Sequence, residues 1–368
     1  MPSIAIIGTR GYPSYYGGFE TAVRKLAPYL VDHGWDVTVY SRPGATRPDD
    51  PQRDHRVRVV ETKGLEKKSL STLTYGYSAT LHCVKERPDV VLVMNVANGY
   101  WLPLLKRAGI PTLVNVDGIE WDRAKWGRFA KWMFHTGAKW TARHGTRMVY
   151  DSREIALRWK DEFGLEGDFI PYGGDPVYGD LPLEPGLTHR AYALVVARFV
   201  PENSIPEFFD AAVEIAEQND VVIVGTGAYG GELDRRAQEL TQSSPRIRWL
   251  GHVSDDRRLL GLWQHAGAYF HGHSVGGTNP ALVQAMAAGA PIVARDTVYN
   301  REVLGPAGNF SSARPSEIVK NVRALLANTE AQETSARDNI ERASTEYSWA
   351  TVCGRYEASL QSRIGVLT

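Results

Sequence analysis

What most constrains the fold of this chain is a rhythm that occurs twice. Short runs rich in β-branched residues alternate with helix-length segments. Ser3–Thr9, Asp36–Ser41, Arg56–Lys63, Val90–Val96, Pro111–Asp117 and Arg147–Ser152 read as strands. The first intervening helix, Gly18 to Asp32, carries Phe19, Val23, Leu26 and Leu30 at i, i+4, i+7 and i+11, one apolar stripe. Apolar strands alternating with helices imply a parallel sheet covered on both faces. The stretch from Tyr172 to His189 has four Gly and three Pro in eighteen residues and reads as a linker. The rhythm then restarts. Ala191–Arg198, Asp220–Gly225, Ile247–Val253, Ala268–Gly272 and Pro291–Asp296 read as strands, and Asn203–Glu217 reads as a helix. From about Pro315 the pattern is helical. The expectation is α/β: two Rossmann-like doubly wound domains facing across a cleft, with ligands at the carboxyl ends of the strands.

A chain of 368 residues, 43% hydrophobic, supplies two cores and is not disordered. Forty-two Lys and Arg balance forty-two Asp and Glu, but not evenly. Residues 1–150 hold 22 basic and 13 acidic side chains, a net of +9; the rest carries −9. Cys83 and Cys353 are too few and too far apart for a disulfide framework or a zinc site, which suggests a reducing compartment. The first residues lack the charged region of a signal peptide, and no run of about 18 apolar residues occurs. The expected location is cytoplasmic, at most at the inner face of the plasma membrane.

Neither domain carries a dinucleotide or P-loop fingerprint. The first loop reads Gly8-Thr9-Arg10-Gly11-Tyr12-Pro13, not G-x-G-x-x-G. Three other constellations stand out. In the first, Gly276-Gly277-Thr278-Asn279-Pro280 precedes a helical run. Asn279 suits an N-cap, Pro280 the first helical position, and free amides there attract a diphosphate. Gln284, one turn on, could hydrogen-bond a hydroxyl. An ordinary capped turn has the same signature. In the second, Arg198 ends a predicted strand, where a guanidinium suits phosphate, although a surface Arg in a turn looks alike. In the third, Gly17 and Gly18 open the first helix and offer amides, or serve a tight turn with Glu20 favouring the helix dipole.

These stretches carry a resemblance. IGTRGYPSYYGGFET at 7–21, NVDGIEWDRAKW at 115–126, VARFVPEN at 196–203 and HSVGGTNPALVQAMAAGAP at 273–291 resemble the retaining GT-B glycosyltransferases of family 4. The likeness is greatest to the bacterial subgroup that includes β-1,4-L-rhamnosyltransferases of polysaccharide assembly. It implies an N-terminal acceptor-binding domain over 1–174, with a C-terminal helix (349–368) crossing back to it. A nucleotide-sugar-binding domain would span 190–348. It implies a hexosyltransferase (EC 2.4.1.-) that takes L-rhamnose from dTDP-L-rhamnose to a saccharide acceptor, such as a polyprenyl-diphosphate-linked sugar. No DxD motif stands out, so neither a metal nor another cofactor is expected. The family's E-x7-E pair falls on Gly276 and Gln284, and its R-x4-K pair on Arg198 and Asn203. The uncharged Gln and Asn leave more of the diphosphate's neutralisation to Arg198 and the 276–280 helix start. Gly227 and Gly251 are further donor-site candidates. Retention in this family is explained by front-face attack, in which the departing diphosphate oxygen takes the acceptor proton. That requires preorganised leaving-group stabilisation more than a strong protein base. Asp117, Asp151 and Tyr172, at strand ends, are the candidates for orienting sugar and acceptor. Each Asp could instead cap or form an Asx turn, and Tyr172 could simply pack. Other readings on this scaffold are a UDP- or GDP-sugar donor with a soluble acceptor, a nucleotide-sugar epimerase, and a non-catalytic sugar-nucleotide binder.

Trp121–Tyr150 concentrates the positive charge. It has seven basic residues and one acidic residue, Asp122, among many aromatics. On a helical wheel Trp126, Phe129, Met133 and Trp140 share one face, with Lys125, Arg128, Trp132 and Lys139 beside it. Such a helix can lie in an anionic membrane interface, or pack its apolar face on its own domain. Arg53, Arg56, Arg58, Lys63, Lys67 and Lys68 add positive surface. Basic, Trp-rich segments also suit single-stranded nucleic acid, but no nucleic-acid motif accompanies this one.

Overall fold

The computed structural model describes residues 1–15, 17–46, 49–65, 71–123, 126–227 and 231–364. Tyr16, Lys67, Lys68 and Lys125 lie outside the described residues. The chain divides into two compact units. One is Met1–Tyr172 together with the segment from Trp349 onward; the other is Gly173–Ser348.

The first unit is a seven-stranded parallel sheet. Its strands are β1 (Ser3–Ile7), β2 (Asp36–Ser41), β3 (Arg58–Glu61), β4 (Val90–Met94), β5 (Thr112–Asn115), β6 (Arg147–Tyr150) and β7 (Gly167–Phe169). They lie in the order β3-β2-β1-β4-β5-β6-β7. Ile4 of β1 stands beside Val37 of β2 on one side and Val90 of β4 on the other. The winding direction reverses there, the topological position at which such sheets bind ligands. The Gly18–Asp32 helix buries Ala22, Val23, Leu26, Ala27 and Leu30 against this sheet. The last helix, Trp349–Gln361, joins the same core through Val352, Tyr356 and Leu360. Each large apolar side chain buried this way stabilises by about 1.5–3 kcal/mol relative to exposure.

The second unit repeats the plan with six parallel strands in the order β10-β9-β8-β11-β12-β13. They are β8 (Tyr192–Val196), β9 (Asp220–Val224), β10 (Ile247–Trp249), β11 (Ala268–His271), β12 (Ile292–Arg295) and β13 (Asn309–Ser311). Its switch point lies between β8 and β11. The pleat divides the core. Leu194 packs towards the Pro280–Ala287 helix, whereas Ala193 and Val195 face Phe208, Phe209 and Ile318.

Three expectations need correction. β13 is an additional edge strand, and the strand expected to end at Tyr172 is β7, which stops at Phe169; at three residues each they are too short to show a period. Several strands end sooner than their apolar runs, because the backbone turns to positive φ: Asn95 (74°), Asp117 (61°) and Gly251 (65°). The Asn203–Glu217 helix likewise starts at Ile205, after Ser204 at φ 53°. Finally, the stretch from 173 to 189 is not a loose tether. Leu187 is buried in the second core, and the Leu181 N–H donates to Gln264 Oε1 at 2.8 Å.

Candidate functional site

In the second unit, Arg198 and the glycine-rich turn leave adjacent strands. β8 ends at Val196 and β11 at His271, and the two strands are hydrogen-bonded neighbours. Their loops also pack together. Ser274 donates both its N–H and its hydroxyl to the Glu202 carbonyl, each at 2.9 Å. Gly272 lies so close to the Asn203 carbonyl that a Cβ there would overlap it. Asn203 is buried and donates its amide nitrogen to the Arg198 carbonyl at 2.9 Å. Asn203 therefore braces the turn that carries Arg198. The Arg198 side chain is exposed at the sheet's carboxyl edge.

The Pro280–Ala287 helix has the cap its sequence suggests. Asn279 accepts from the Ala281 N–H at 2.9 Å, and Pro280 occupies the first turn. Gly276 has φ 93°, Thr278 is buried, and Gly277 lies between them. Gln284 is engaged within its own unit: its Oε1 accepts from the Asp175 N–H and its Nε2 donates to the Asp175 carbonyl, both at 3.0 Å. Gly227 donates its N–H to Asp234, which also accepts from Gly231 at the start of the Glu232–Ser243 helix. Gly251 has open space where a Cβ would stand, and its carbonyl accepts from Gly225 at 2.7 Å.

The sequence reading passed over His271, which closes β11 with no exposed surface. Its Nδ1 pairs with the Tyr269 hydroxyl at 3.0 Å, and its ring stacks on His273 at 4.4 Å between centroids. Burial pushes its pKa well below the ordinary histidine value, with His273 acting in the same direction, so the imidazole is neutral. Two histidines flanking a glycine at a strand end were the available signal.

In the first unit, Tyr172 is the meeting point. It is buried, and Gly18 lets its ring approach the start of the first helix: a Cβ on Gly18 would stand 3.3 Å from the ring. Burial raises the Tyr172 hydroxyl well above its ordinary pKa. Asp117, Asp151, Tyr356 and Glu20 push the same way, in that order, so Asp117 and Asp151 lie within electrostatic reach of the ring. The phenol stays protonated and can donate to a sugar oxygen or carboxylate. Asp151 is buried, and the cap of the Arg153–Phe163 helix is its neighbour Ser152, which accepts from the Glu154 N–H at 3.2 Å. Asp117 accepts from Asn95 Nδ2 at 3.3 Å, and its N–H donates to Asn115 Oδ1 at 3.0 Å. Asn115 in turn donates to the Tyr356 hydroxyl at 2.7 Å, so the last helix braces this edge. Sequence reasoning missed that brace, which joins residues 241 positions apart.

Gly17, in extended backbone, precedes this helix without capping it by a side chain. The buried Glu20 accepts from the Arg10 N–H at 3.1 Å. The negative charge that a helix start attracts is thus supplied by the chain itself. Among the described residues no cluster of three or more His, Cys, Asp or Glu side chains could hold a metal ion. No described helix is long and apolar enough to cross a membrane.

Comparison with known proteins agrees with this geometry. Residues 17–173 match the family described as "Glycosyl transferase 4-like domain", and residues 185–343 match "Glycosyl transferases group 1". No curated protein matches the chain in sequence. Among solved structures, a sucrose-phosphate synthase from Thermosynechococcus elongatus superposes with a TM-score of 0.78 at 16% identity, over 98% of this chain and 99% of that one. HepE from Anabaena, in complex with UDP, gives 0.75 at 16% identity over 98% and 100%. An alpha,alpha-trehalose-phosphate synthase (UDP-forming) from Burkholderia vietnamiensis gives 0.73 at 11% identity over 98% and 100%. At such identities the superpositions speak for the fold, and the two domain matches speak for its use. The chain is a glycosyltransferase of the GT-B type, a glycosyl transferase 4-like domain followed by a glycosyl transferases group 1 domain.

Proposed function

We propose that the protein is a retaining hexosyltransferase whose second unit holds a nucleotide-sugar donor and whose first unit holds a saccharide acceptor. The observation that carries this reading is the exposed Arg198 guanidinium on a loop packed against Gly272 and Ser274, which lead into the Gly276–Asn279 turn, at the switch point of the second sheet. A cation and a capped helix start at one strand edge suit a diphosphate. Departure of that group creates negative charge, which fixed donors stabilise best. Gly227 and Gly251 border the same edge and would face the nucleotide. Tyr172, as a neutral hydroxyl among Asp117 and Asp151, would orient sugar hydroxyls. The Asp175 clamp favours Gln284 as a brace for the 173–175 backbone over a ribose ligand.

The donor we propose is dTDP-L-rhamnose, supported by the HSVGGTNP stretch and its subgroup likeness. The acceptor we propose is lipid-diphosphate-linked, at the inner face of the plasma membrane. A second reading takes UDP-glucose as donor, because HepE has been solved in complex with UDP-glucose at a TM-score of 0.73. A thermal-shift screen of dTDP-, UDP- and GDP-sugars decides between them. Stabilisation by dTDP-rhamnose above the others supports the first, and a preference for UDP-glucose replaces it with the second. Absence of any nucleotide-dependent shift would remove the donor assignment itself.

A further inference from the structure

The helix Arg128–His144 turns Phe129, Trp132 and Trp140 outward. Gly137, Ala138 and Thr141 form its buried face, and it packs on the turn Val96–Trp101. The approach is close: a Cβ on Gly137 would stand 2.6 Å from the Val96 carbonyl, and one on Gly99 would overlap the Gly137 carbonyl. The Tyr100 hydroxyl donates to the Met133 carbonyl at 2.8 Å across the same contact. Small residues thus fill the interface, and the sheet does not absorb the bulky ones. Phe129 is 71% exposed, Trp132 61% and Trp140 41%. At 100° per residue these three fall on one arc with Arg128, Lys139 and Arg143, all exposed. The helix contains no acidic residue. Lys106 and Arg107 are exposed beside its last turn, where Lys106 Nζ donates to the Arg143 carbonyl at 3.4 Å.

We infer that this face docks the enzyme on an anionic lipid surface, with the helix lying in the headgroup plane. Phe129, Trp132 and Trp140 would enter the interface, and Arg128, Lys139 and Arg143 would meet lipid phosphates. The inference rests on the membrane-linked acceptor proposed above and names the surface that reaches it. Charge selects the occupant. Aromatics interleaved with cations, and no carboxylate, are complementary to an anionic bilayer, where Trp partitions to the interface. The helix leads from β5 to β6, so it starts at the carboxyl edge that also presents Asp117 and Asp151. A lipid-linked sugar would arrive at that edge.

The test uses the full chain and sedimentation with vesicles of phosphatidylcholine alone or mixed with phosphatidylglycerol. The wild type should bind the mixed vesicles, and added salt should weaken binding. The triple variant F129S/W132S/W140S should bind at least ~10-fold more weakly. Each of R128Q, K139Q and R143Q should lose about fivefold. All variants should keep the wild-type melting temperature and nucleotide binding, because these side chains are exposed. Equal binding of wild type and triple variant, or no vesicle binding by wild type, overturns the inference. So does a wild-type dimer that the triple variant breaks while vesicle binding is absent. Nucleotide binding and transfer to a soluble acceptor report on the catalytic reading separately, so either can fail alone.

Discussion

Gln284 and the backbone of Asp175 hold each other through a reciprocal pair of hydrogen bonds, Oε1 from N–H and Nε2 to carbonyl, both 3.0 Å. A carboxamide can satisfy both partners, but an ionised carboxylate cannot donate to the carbonyl. Gln284→Glu should therefore lower stability by about 1–2 kcal/mol, through a lost bond and a carboxylate facing a carbonyl. Donor affinity should not rise. Melting curves and nucleotide titration of the variant check both. An unchanged melting temperature with tighter donor binding would assign Gln284 to the ribose instead.

Arg198→Ala should remove the exposed cation without touching the brace, because Asn203 bonds the Arg198 carbonyl and not its side chain. Transfer activity should fall by ~100-fold or more, as for loss of one fixed donor to a developing anion. The melting temperature should stay within about a degree of wild type, since surface substitutions are usually near neutral. Steady-state turnover and a thermal melt test the pair of expectations, and near-normal turnover would take Arg198 out of the diphosphate site.

Gly225 leaves β9 with φ 132°, and a Cβ there would overlap the Ala197 carbonyl. Gly225→Ala should destabilise the second unit by about 3 kcal/mol or more, because strain and a backbone clash combine. It should also displace the strand end that precedes Arg198. Chemical denaturation should show the lower midpoint. Retention of both stability and donor binding would contradict the close approach of the β8 and β9 ends.

His271 supplies a pH dependence. Burial holds its folded-state pKa well below the ordinary value, so the folded imidazole stays neutral where the unfolded one takes up a proton. Stability should therefore fall as pH drops below about 6.5, by up to ~1.4 kcal/mol per pH unit for this group. His271→Gln should flatten that part of the profile. Denaturation midpoints from pH 5 to 7.5 for both proteins make the comparison, and parallel profiles would show that His271 does not titrate on unfolding.

Much of this protein is legible along the chain. The strand-and-helix rhythm specified two parallel sheets, because period and burial are properties of local composition. Asn279 and Pro280 announced their helix start, because capping is decided within four residues. Arg198 was readable as a strand-end cation for the same reason. What the order of residues could not display depends on segments that meet only after folding. The β13 edge strand has no period of its own and exists by pairing. Gln284 became a brace because Asp175, 109 positions away, lies against its helix. Tyr172 is held protonated first by burial and then by Asp117, Asp151 and Glu20, which folding gathers from separate segments. The aromatic stripe of Arg128–His144 could have faced the sheet or the solvent. Gly99 and Gly137 settled it, because two backbones that nearly touch leave no room between them for a tryptophan.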